Sequence, residues 1–334
     1  MKPIVNPINN LIGNRLIRPK VVYSSGYDIH FMGLEKLHPF DSCKYSRAWC
    51  VLADRFGDLL TANSLNPLQP ATIEMLKAVH GDSYLTSLRR SGFVAKSLEL
   101  SSLTLLPIRI LDSRVLKPMR LATMGTVMAA EAALEHGIAI NLSGGYHHAS
   151  SDRGGGFCIY SDIAVAIAQL RLSQKVSLVD QVAIVDLDAH QGNGLARIFF
   201  DDPNVHILDM YNQQVYPQDA MAKKRINCNL PLDSGMNDQD YLGILKENLP
   251  VFLKQIEKPK IVFYNAGTDI YTEDLLGRLK VSEQGILERD RFVFQTVTEL
   301  GIPLVMVLSG GYTQDSYRLI ADSVSMVLQT WEND

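Results

Sequence analysis

Side chains that bind metal ions stand at every second position of the segment Asp-Leu-Asp-Ala-His-Gln-Gly-Asn-Gly, which begins at Asp186. Asp186, Asp188 and His190 share one parity, so on an extended chain they point to the same side. Asp188 and His190 can therefore bind one metal ion, with Asp186 close by, and Asp269 can supply a third ligand from the end of another apolar run. Two carboxylates and one imidazole would leave zinc an open position for water and a substrate oxygen. The alternative, a turn aspartate beside a surface histidine, is disfavoured because carboxylates next to a buried strand are costly without a cation.

Two adjacent histidines and a tyrosine follow glycine pairs elsewhere in the chain. His147 and His148 end the segment Ser-Gly-Gly-Tyr-His-His. A glycine-rich turn can present both to one cleft, where each can move a proton near neutral pH. Tyr312 ends the segment Ser-Gly-Gly-Tyr, and its hydroxyl can donate a hydrogen bond to a developing oxyanion. Taken alone, these segments also fit a pair of surface histidines, or one core and one surface histidine, and a tyrosine packed over a turn.

Three consecutive glycines precede Phe157 in the segment Asp-Arg-Gly-Gly-Gly-Phe-Cys. Because glycine lets the backbone approach a ligand closely, Gly155, Gly156 and Phe157 can form the wall of a narrow slot. A nucleotide-binding loop is disfavoured, because neither glycine pattern typical of such loops is present. A tight turn before a helix that starts near Tyr160 stays open as an alternative.

Short apolar runs end immediately before most of these polar segments, at 137–142, 182–185, 261–264 and 303–308. Such runs are typical of strands buried on both faces of a parallel sheet. Helical patterns lie between or beside them, at 122–136, 160–172, 240–257, 285–299 and 315–331. Pro250 is expected to break or kink the third of these helices. The alternation predicts an α/β fold, a single-domain, doubly wound, mostly parallel sheet flanked by helices. Ligands bind at the carboxyl ends of such strands, so the polar segments should converge there.

The composition restricts the class of protein. The 334 residues are 46% hydrophobic, enough for a large core, and the net charge of −4 gives no basic excess that would indicate direct nucleic-acid binding. No run approaches the roughly 18 apolar residues that a membrane span requires, and the first residues lack the apolar core of a signal peptide. The four cysteines form no C-x-x-C pair, which favours reduced thiols and a cytoplasmic location. We expect residues 1–20 to form an irregular leader and residues 21–334 to form one domain.

The remaining histidines lack ligand-type neighbours in the sequence, and we expect structural or surface roles for His30, His38, His80, His136 and His206. Met124 and Met128, within the predicted helix at 122–136, fit core packing better than a cofactor site.

Together, the motifs resemble the arginase/deacetylase superfamily, and within it the zinc-dependent histone deacetylases, from about Val21 to the end of the chain. The segments Gly-Gly-Tyr-His-His, Gly-Gly-Gly-Phe-Cys, Asp-Leu-Asp-Ala-His-Gln-Gly-Asn-Gly, Ala-Gly-Thr-Asp and Ser-Gly-Gly-Tyr stand in the family's order. Class IV is the most similar subgroup, on the segments that begin at Tyr27, His148, Asp209 and Tyr216.

The resemblance implies a function for the metal and tunnel residues. Zn²⁺ would be bound by Asp188, His190 and Asp269. Tyr312 would polarise the scissile carbonyl, and Phe157, with the glycines before it, would line an acyl tunnel.

It also implies that the two histidines differ. Asp186 would support His147 and, together with Asp209, contribute to a site for K⁺. Asn193 stands where many relatives have aspartate, so His148 would have an amide rather than an anionic partner. His148 is then expected to be neutral more often, and to act as general base and later as the acid that protonates the amine.

The implied substrate is an acylated lysine in a protein or peptide, and similarity to class IV implies a preference for long fatty acyl chains. A hydrolase of acetylated polyamines on the same fold stays open, as does a catalytically silent module that binds acyl-lysine. Hydrolysis of guanidino compounds is disfavoured, because Asp-Ala-His-Gln-Gly lacks the additional carboxylate that would bridge a second metal ion.

Overall fold

The computed structural model describes residues 18–30, 40–41 and 43–329, together with the backbone of residues 11–12 and 15–16. The strands are β1 (Leu11–Ile12), β2 (Arg15–Leu16), β3 (Lys20–Val22), β4 (Ser64–Leu65), β5 (Ile138–Asn141), β6 (Val182–Asp186), β7 (Val205–Asn212), β8 (Cys228–Leu232), β9 (Ile261–Asn265) and β10 (Leu304–Val307). The α-helices are α1 (Lys44–Phe56), α2 (Asp58–Ala62), α3 (Ile73–Lys77), α4 (Asp82–Ser87), α5 (Ser91–Ser97), α6 (Ile108–Leu111), α7 (Lys117–His136), α8 (Asp162–Leu172), α9 (Asn193–Ile198), α10 (Ala220–Lys223), α11 (Asp238–Gln255), α12 (Glu283–Glu299) and α13 (Ser316–Leu328). Shorter helical turns lie at Ser25–Tyr27, Ser101–Leu105 and Asp112–Leu116.

Eight strands form one sheet in the order β4-β3-β5-β10-β9-β6-β7-β8. Every neighbouring pair in it is parallel, so the predicted α/β fold is confirmed. The four strands predicted from apolar runs, β5, β10, β9 and β6, are neighbours at the centre of the sheet, and all their residues are buried.

Successive residues of the central strands point to opposite faces of the sheet and into two separate cores. Ile140 and Val185 pack on one face, in the core that also contains residues of α1, α11, α12 and α13. Ala139 and Ile184 pack on the other face, against α7 and α8. Helices on both faces make the sheet doubly wound, and the segments that follow the central strands therefore lie along one edge.

The predicted helices are present with different bounds. α11 continues through Pro250 as one helix, so the expected break does not occur. Lys246, whose carbonyl loses its usual N–H partner there, lies on the exposed face, where water can replace that donor. α7 begins at Lys117 rather than at 122. The predicted end of the last helix, at 331, lies outside the described residues.

Residues 1–20, predicted to form an irregular leader, include short β-strands. β1 and β2 form an antiparallel pair, and β3, which begins at Lys20, belongs to the main sheet. Residues 1–10, 13–14 and 17 lie outside the described part of the chain, and the boundary at residue 21 stays a prediction. Among the described residues, no helix has both the length and the apolar character needed to cross a membrane.

Candidate metal centre and catalytic site

Three metal-binding side chains meet where two neighbouring strands end. Asp188 and His190 follow β6, and Asp269 follows β9, which pairs with β6 in parallel. One ligand atom from each of the three lies within 4.8 Å of the others. His190 Nδ1 is 3.1 Å from Asp188 Oδ1 and 2.8 Å from Asp269 Oδ2. All three side chains are buried, so they form one compact donor set.

The backbone and one hydroxyl orient both carboxylates. Asp188 Oδ2 accepts hydrogen bonds from Ser309 Oγ at 2.6 Å and from the Gly310 amide at 2.8 Å. Asp269 Oδ1 accepts one from the Ala189 amide at 2.9 Å. A Cβ atom at Gly310 would clash with both carboxylates, so the turn after β10 requires glycine here. Such supporting contacts fix the orientation of metal ligands.

The electrostatics of this set favour a bound cation. Burial opposes ionisation, yet the charges of His147 and His190 outweigh it and hold the pKa of Asp188 well below its usual value. Burial and the Asp188 carboxylate raise the pKa of Asp269 to about 7. Burial alone would lower the pKa of His190, but hydrogen bonds with the two carboxylates raise it to about 10. The two buried carboxylates therefore stabilise a positive charge between them. Two carboxylates and one imidazole are ligands that fit a zinc ion.

The paired histidines contact different partners. His147 Nδ1 lies 2.8 Å from Asp186 Oδ2, whereas His148 Nδ1 lies 2.9 Å from Asn193 Oδ1, and the two rings are 4.1 Å apart. Burial alone would lower the pKa of His147, but the charges of Asp186 and Asp188 raise it to about 9. Burial and the charges of His147 and His190 hold the pKa of His148 well below its usual value. The pairing is the one that the family resemblance implies.

A mostly apolar cavity leads to these residues, with about 850 Å³ of space when its open mouth is included. Phe157 and Tyr312 line it, with ring centroids 5.9 Å apart, and Gly156 lines it beside His148. Burial, followed by the charge of Asp269, raises the pKa of Tyr312 well above its usual value, so its hydroxyl keeps its proton.

The backbone of the triple-glycine segment packs closely against the ring of His148. Gly156 has a φ of +51°, and a Cβ there would clash with the His148 ring. Gly155, predicted as a wall of the slot, is not among the residues that line the cavity. Its amide instead donates to the Cys158 carbonyl at 3.0 Å. Of the predicted tunnel residues, the structure therefore brings Gly156 and Phe157 to the cavity.

Two buried aspartates lie side by side on the neighbouring strands β6 and β7, where Asp186 pairs in register with Asp209. Asp186 Oδ1 accepts a hydrogen bond from Asn265 Nδ2 at 2.9 Å, and Asp209 Oδ2 accepts one from the Gly192 amide at 2.9 Å. Asp209 Oδ1 is buried and has no hydrogen-bond donor in the described structure. Burial and the charge of Asp186 raise the pKa of Asp209 well above its usual value.

Comparison with known proteins agrees with this geometry. The model of the Histone deacetylase domain family matches residues 38–328. The chain belongs to the histone deacetylase family. Among its relatives, Histone deacetylase 2 of Arabidopsis thaliana is 44% identical over 309 residues, which cover 92% of this chain and 78% of that protein. An uncharacterized protein of Picosynechococcus is 37% identical over 245 residues, which cover 73% and 77%. A solved histone deacetylase homologue from Aquifex aeolicus superposes with a TM-score of 0.71 at 23% identity, covering 93% of this chain and 84% of that one, and shows the shared fold.

The deacetylase-like site also contains residues that sequence reasoning missed. Lys44 is fully buried, and its Nζ donates to the carbonyls of Ser309 at 2.6 Å and of the two following glycines, so it binds the turn that carries Tyr312. The Tyr216 ring packs against His148 with centroids 5.0 Å apart. Asn265, which donates a hydrogen bond to Asp186, could have been found from the sequence, because it is the first residue of a polar segment after an apolar run. No local pattern marks Lys44.

Folding gives defined partners to His80 and His30. His80 is buried, accepts from the Ser161 amide at 3.0 Å, and lies 2.9 Å from the Ser150 carbonyl, so its structural role is confirmed. The expectation that His30 lacks ligand-type neighbours is wrong, because folding brings Cys43 to it, and Asp28 lies beside it. His38 lies outside the described residues.

Proposed function

We propose that this histone deacetylase-family protein is a zinc-dependent hydrolase that removes acyl groups from the Nε atom of lysine side chains. The observation that carries the proposal is the convergence of Asp188, His190 and Asp269 at an apolar cavity that also holds two histidines and Tyr312. Each of these groups has a use in amide hydrolysis, and no simpler structural role requires all of them in one place.

The ion would be held by Asp188, His190 and Asp269. When bound, it supplies a Lewis acid for the amide carbonyl and for the attacking water. Ser309 and Gly310 keep the Asp188 carboxylate oriented by donating to its Oδ2. The Arg289 guanidinium donates to the Gly267 carbonyl at 2.6 Å and to the Leu187 carbonyl at 3.3 Å, so it joins the two segments that carry ligands.

His148 is the proposed general base. Because Asn193 Oδ1 accepts from Nδ1, the ring carries its hydrogen on Nδ1 and keeps a lone pair on Nε2. Burial and the positive charge of His147 lower the pKa of His148 well below its usual value, which keeps this ring neutral. Its Nε2 can therefore take a proton from the attacking water and later give it to the departing lysine amine. His147, paired with Asp186, supplies positive charge and orientation.

Tyr312 is the proposed oxyanion donor. Its raised pKa keeps the hydroxyl protonated. In the described part of the chain, the hydroxyl makes no hydrogen bond, so it is available to the substrate. Donors that face the developing negative charge of a tetrahedral intermediate lower the barrier of acyl transfer.

The acyl chain would occupy the apolar cavity. Leu98, Leu103, Val115 and Met119 line it together with the polar residues of the site, which suits a hydrocarbon chain rather than a polar group. This lining supports the proposal, which the resemblance to class IV also implies, that long fatty acyl groups are removed more efficiently than acetyl.

Two further parts of the proposal concern the surroundings. Asp186 and Asp209 would hold K⁺, which the buried Asp209 oxygen without a donor supports. The protein would act in the cytoplasm, as its cysteine usage indicates, since the four cysteines of the sequence include no C-x-x-C pair and fit reduced thiols.

A deacylation screen tests the proposal. Acetyl-, octanoyl- and myristoyl-lysine in one peptide sequence would be compared with acetylspermidine, using Tyr312→Phe as the inactive control. We expect the highest kcat/KM with the longer acyl-lysine peptides. Faster turnover of acetylspermidine would establish polyamine hydrolysis instead, and tight peptide binding without any turnover would establish a silent binding module.

A further inference from the structure

Three side chains with metal-binding atoms meet beside the cavity, and none of them belongs to the centre described above. Asp28 and His30 follow β3, and Cys43 immediately precedes α1. His30 Nδ1 lies 3.8 Å from Cys43 Sγ, and its Nε2 lies 3.8 Å from Asp28 Oδ2. One ligand atom from each lies within 4.8 Å of those of the other two, which is close enough for one ion to contact all three after small side-chain movements.

The exposure of these groups suits binding from solvent. The His30 side chain is 54% exposed and can turn toward an ion, whereas the Asp28 side chain is 10% exposed. Asp28 Oδ1 is buried and has no hydrogen-bond donor in the described structure. Burial raises the pKa of Asp28, although hydrogen bonds from Ser46 and Cys43 to the carboxyl group and the charge of His30 act in the opposite direction. A buried carboxylate oxygen in this situation is stabilised by a cation.

We propose that Asp28, His30 and Cys43 form a second metal site. It would bind a divalent cation that, like Zn²⁺, accepts a thiolate ligand. Thiolate, imidazole and carboxylate together are ligands that such ions prefer over Mg²⁺ or Ca²⁺. On binding, the Cys43 thiol releases its proton to solvent and the thiolate donates to the ion. Water would complete the coordination. The site does not depend on the proposed catalysis.

This second site borders the catalytic cavity. Ile29, between two of the ligands, lines that cavity, as does Phe40, whose ring centroid lies 6.2 Å from that of Tyr312. Cys43 is followed by Lys44, which binds the turn before Tyr312. An ion here would therefore restrain one wall of the cavity, and we expect its binding to change KM for the acyl substrate more than kcat.

Titration with Co²⁺ separates the two sites. A thiolate bound to Co²⁺ gives a sulfur-to-metal charge-transfer absorption in the near ultraviolet, and the catalytic donor set contains no sulfur. The absorption therefore reports a bound thiolate, and its loss in Cys43→Ser assigns it to the site of Asp28, His30 and Cys43. We expect it to appear as a second equivalent of Co²⁺ binds to the wild-type protein, and to be lost together with that equivalent in Cys43→Ser.

Matched variants make the test specific. Cys50→Ser removes an exposed thiol from α1, the helix that follows Cys43, and should keep both the absorption and the second equivalent. His30→Ala should weaken binding of the second equivalent on the order of 10-fold or more, with thermal unfolding measured to verify folding. Absence of the absorption in wild type, or its persistence in Cys43→Ser, would overturn the proposal while leaving the catalytic one untouched.

Discussion

Replacing Asn193 by aspartate should shift the pH dependence of catalysis. The two side chains are nearly the same size, but aspartate adds a negative charge beside His148, the proposed base. Asn193 Oδ1 lies 2.9 Å from His148 Nδ1, so the variant places a carboxylate in contact with the imidazole. Two opposite charges about 4 Å apart interact by about 4 kcal/mol at an effective dielectric constant of about 20. Since about 1.4 kcal/mol corresponds to one pKa unit, we expect the pKa of His148 to rise by about 1 to 3 units.

The sign follows from the protonation state that the base requires. Only neutral His148 can accept a proton, so catalysis needs a pH above its pKa. In the wild-type protein that pKa is held low by burial and by the charge of His147, and the acidic limb of kcat/KM should lie well below pH 7. A raised pKa in Asn193→Asp moves this limb to higher pH.

The assay is the pH profile of kcat/KM for an acyl-lysine peptide. Asn63→Asp is a matched control, because Asn63 Oδ1 also accepts a hydrogen bond, from Lys20 at 2.9 Å, but lies outside the site. It should leave the limb in place. If the limb also stays in place in Asn193→Asp, and His147→Ala loses more activity than His148→Ala, the roles of the two histidines are exchanged.

Three further substitutions test the site and its supports. Tyr312→Phe should lower kcat by about 10²- to 10³-fold with little change in thermal stability, since the ring contacts remain, and near-normal kcat would refute the oxyanion role. Gly156→Ala should lower both activity and stability, the latter by about 1–2 kcal/mol, because its Cβ would clash with the His148 ring at a φ of +51°; unchanged denaturant midpoints would argue against that. Arg289→Met should lower the free energy of unfolding by about 3–5 kcal/mol. Arg289 Nε lies 2.7 Å from Asp290 Oδ1, so the variant leaves a buried carboxylate without its cation. A smaller loss would show that hydrogen bonds from Tyr264 and Ser323 are enough to stabilise that carboxylate.

The centre of the sheet could be predicted because its strands are buried on both faces. Their residues form continuous apolar runs, and each run ends at a polar segment that the fold brings to one edge. The outer strands carry no such pattern. β4 has two residues, and β8 contains Pro231 and is partly exposed. β7 is almost completely buried, but its Asp209 and Asn212 are hydrogen-bonded to Gly192, Ser234 and Gly277, so its sequence is not continuously apolar.

The same distinction applies to the site. Residues that directly follow a central strand, such as Asp188 and Asp269, could be assigned from sequence, because their position on the strand fixes their place in the fold. Lys44 could not, since its partners are backbone carbonyls of residues 309–311, which any sequence would offer. Cys43 likewise becomes a neighbour of His30 only through tertiary structure.

The most direct measurement of the central claim is acyl release from a long-chain acyl-lysine peptide, made on the same preparation before chelation, after chelation and after return of one equivalent of Zn²⁺. The wild-type protein should lose turnover with its metal and recover it with Zn²⁺, and Asp188→Asn should stay inactive throughout while remaining folded. Full turnover by wild-type protein that elemental analysis shows to be free of metal would contradict the account.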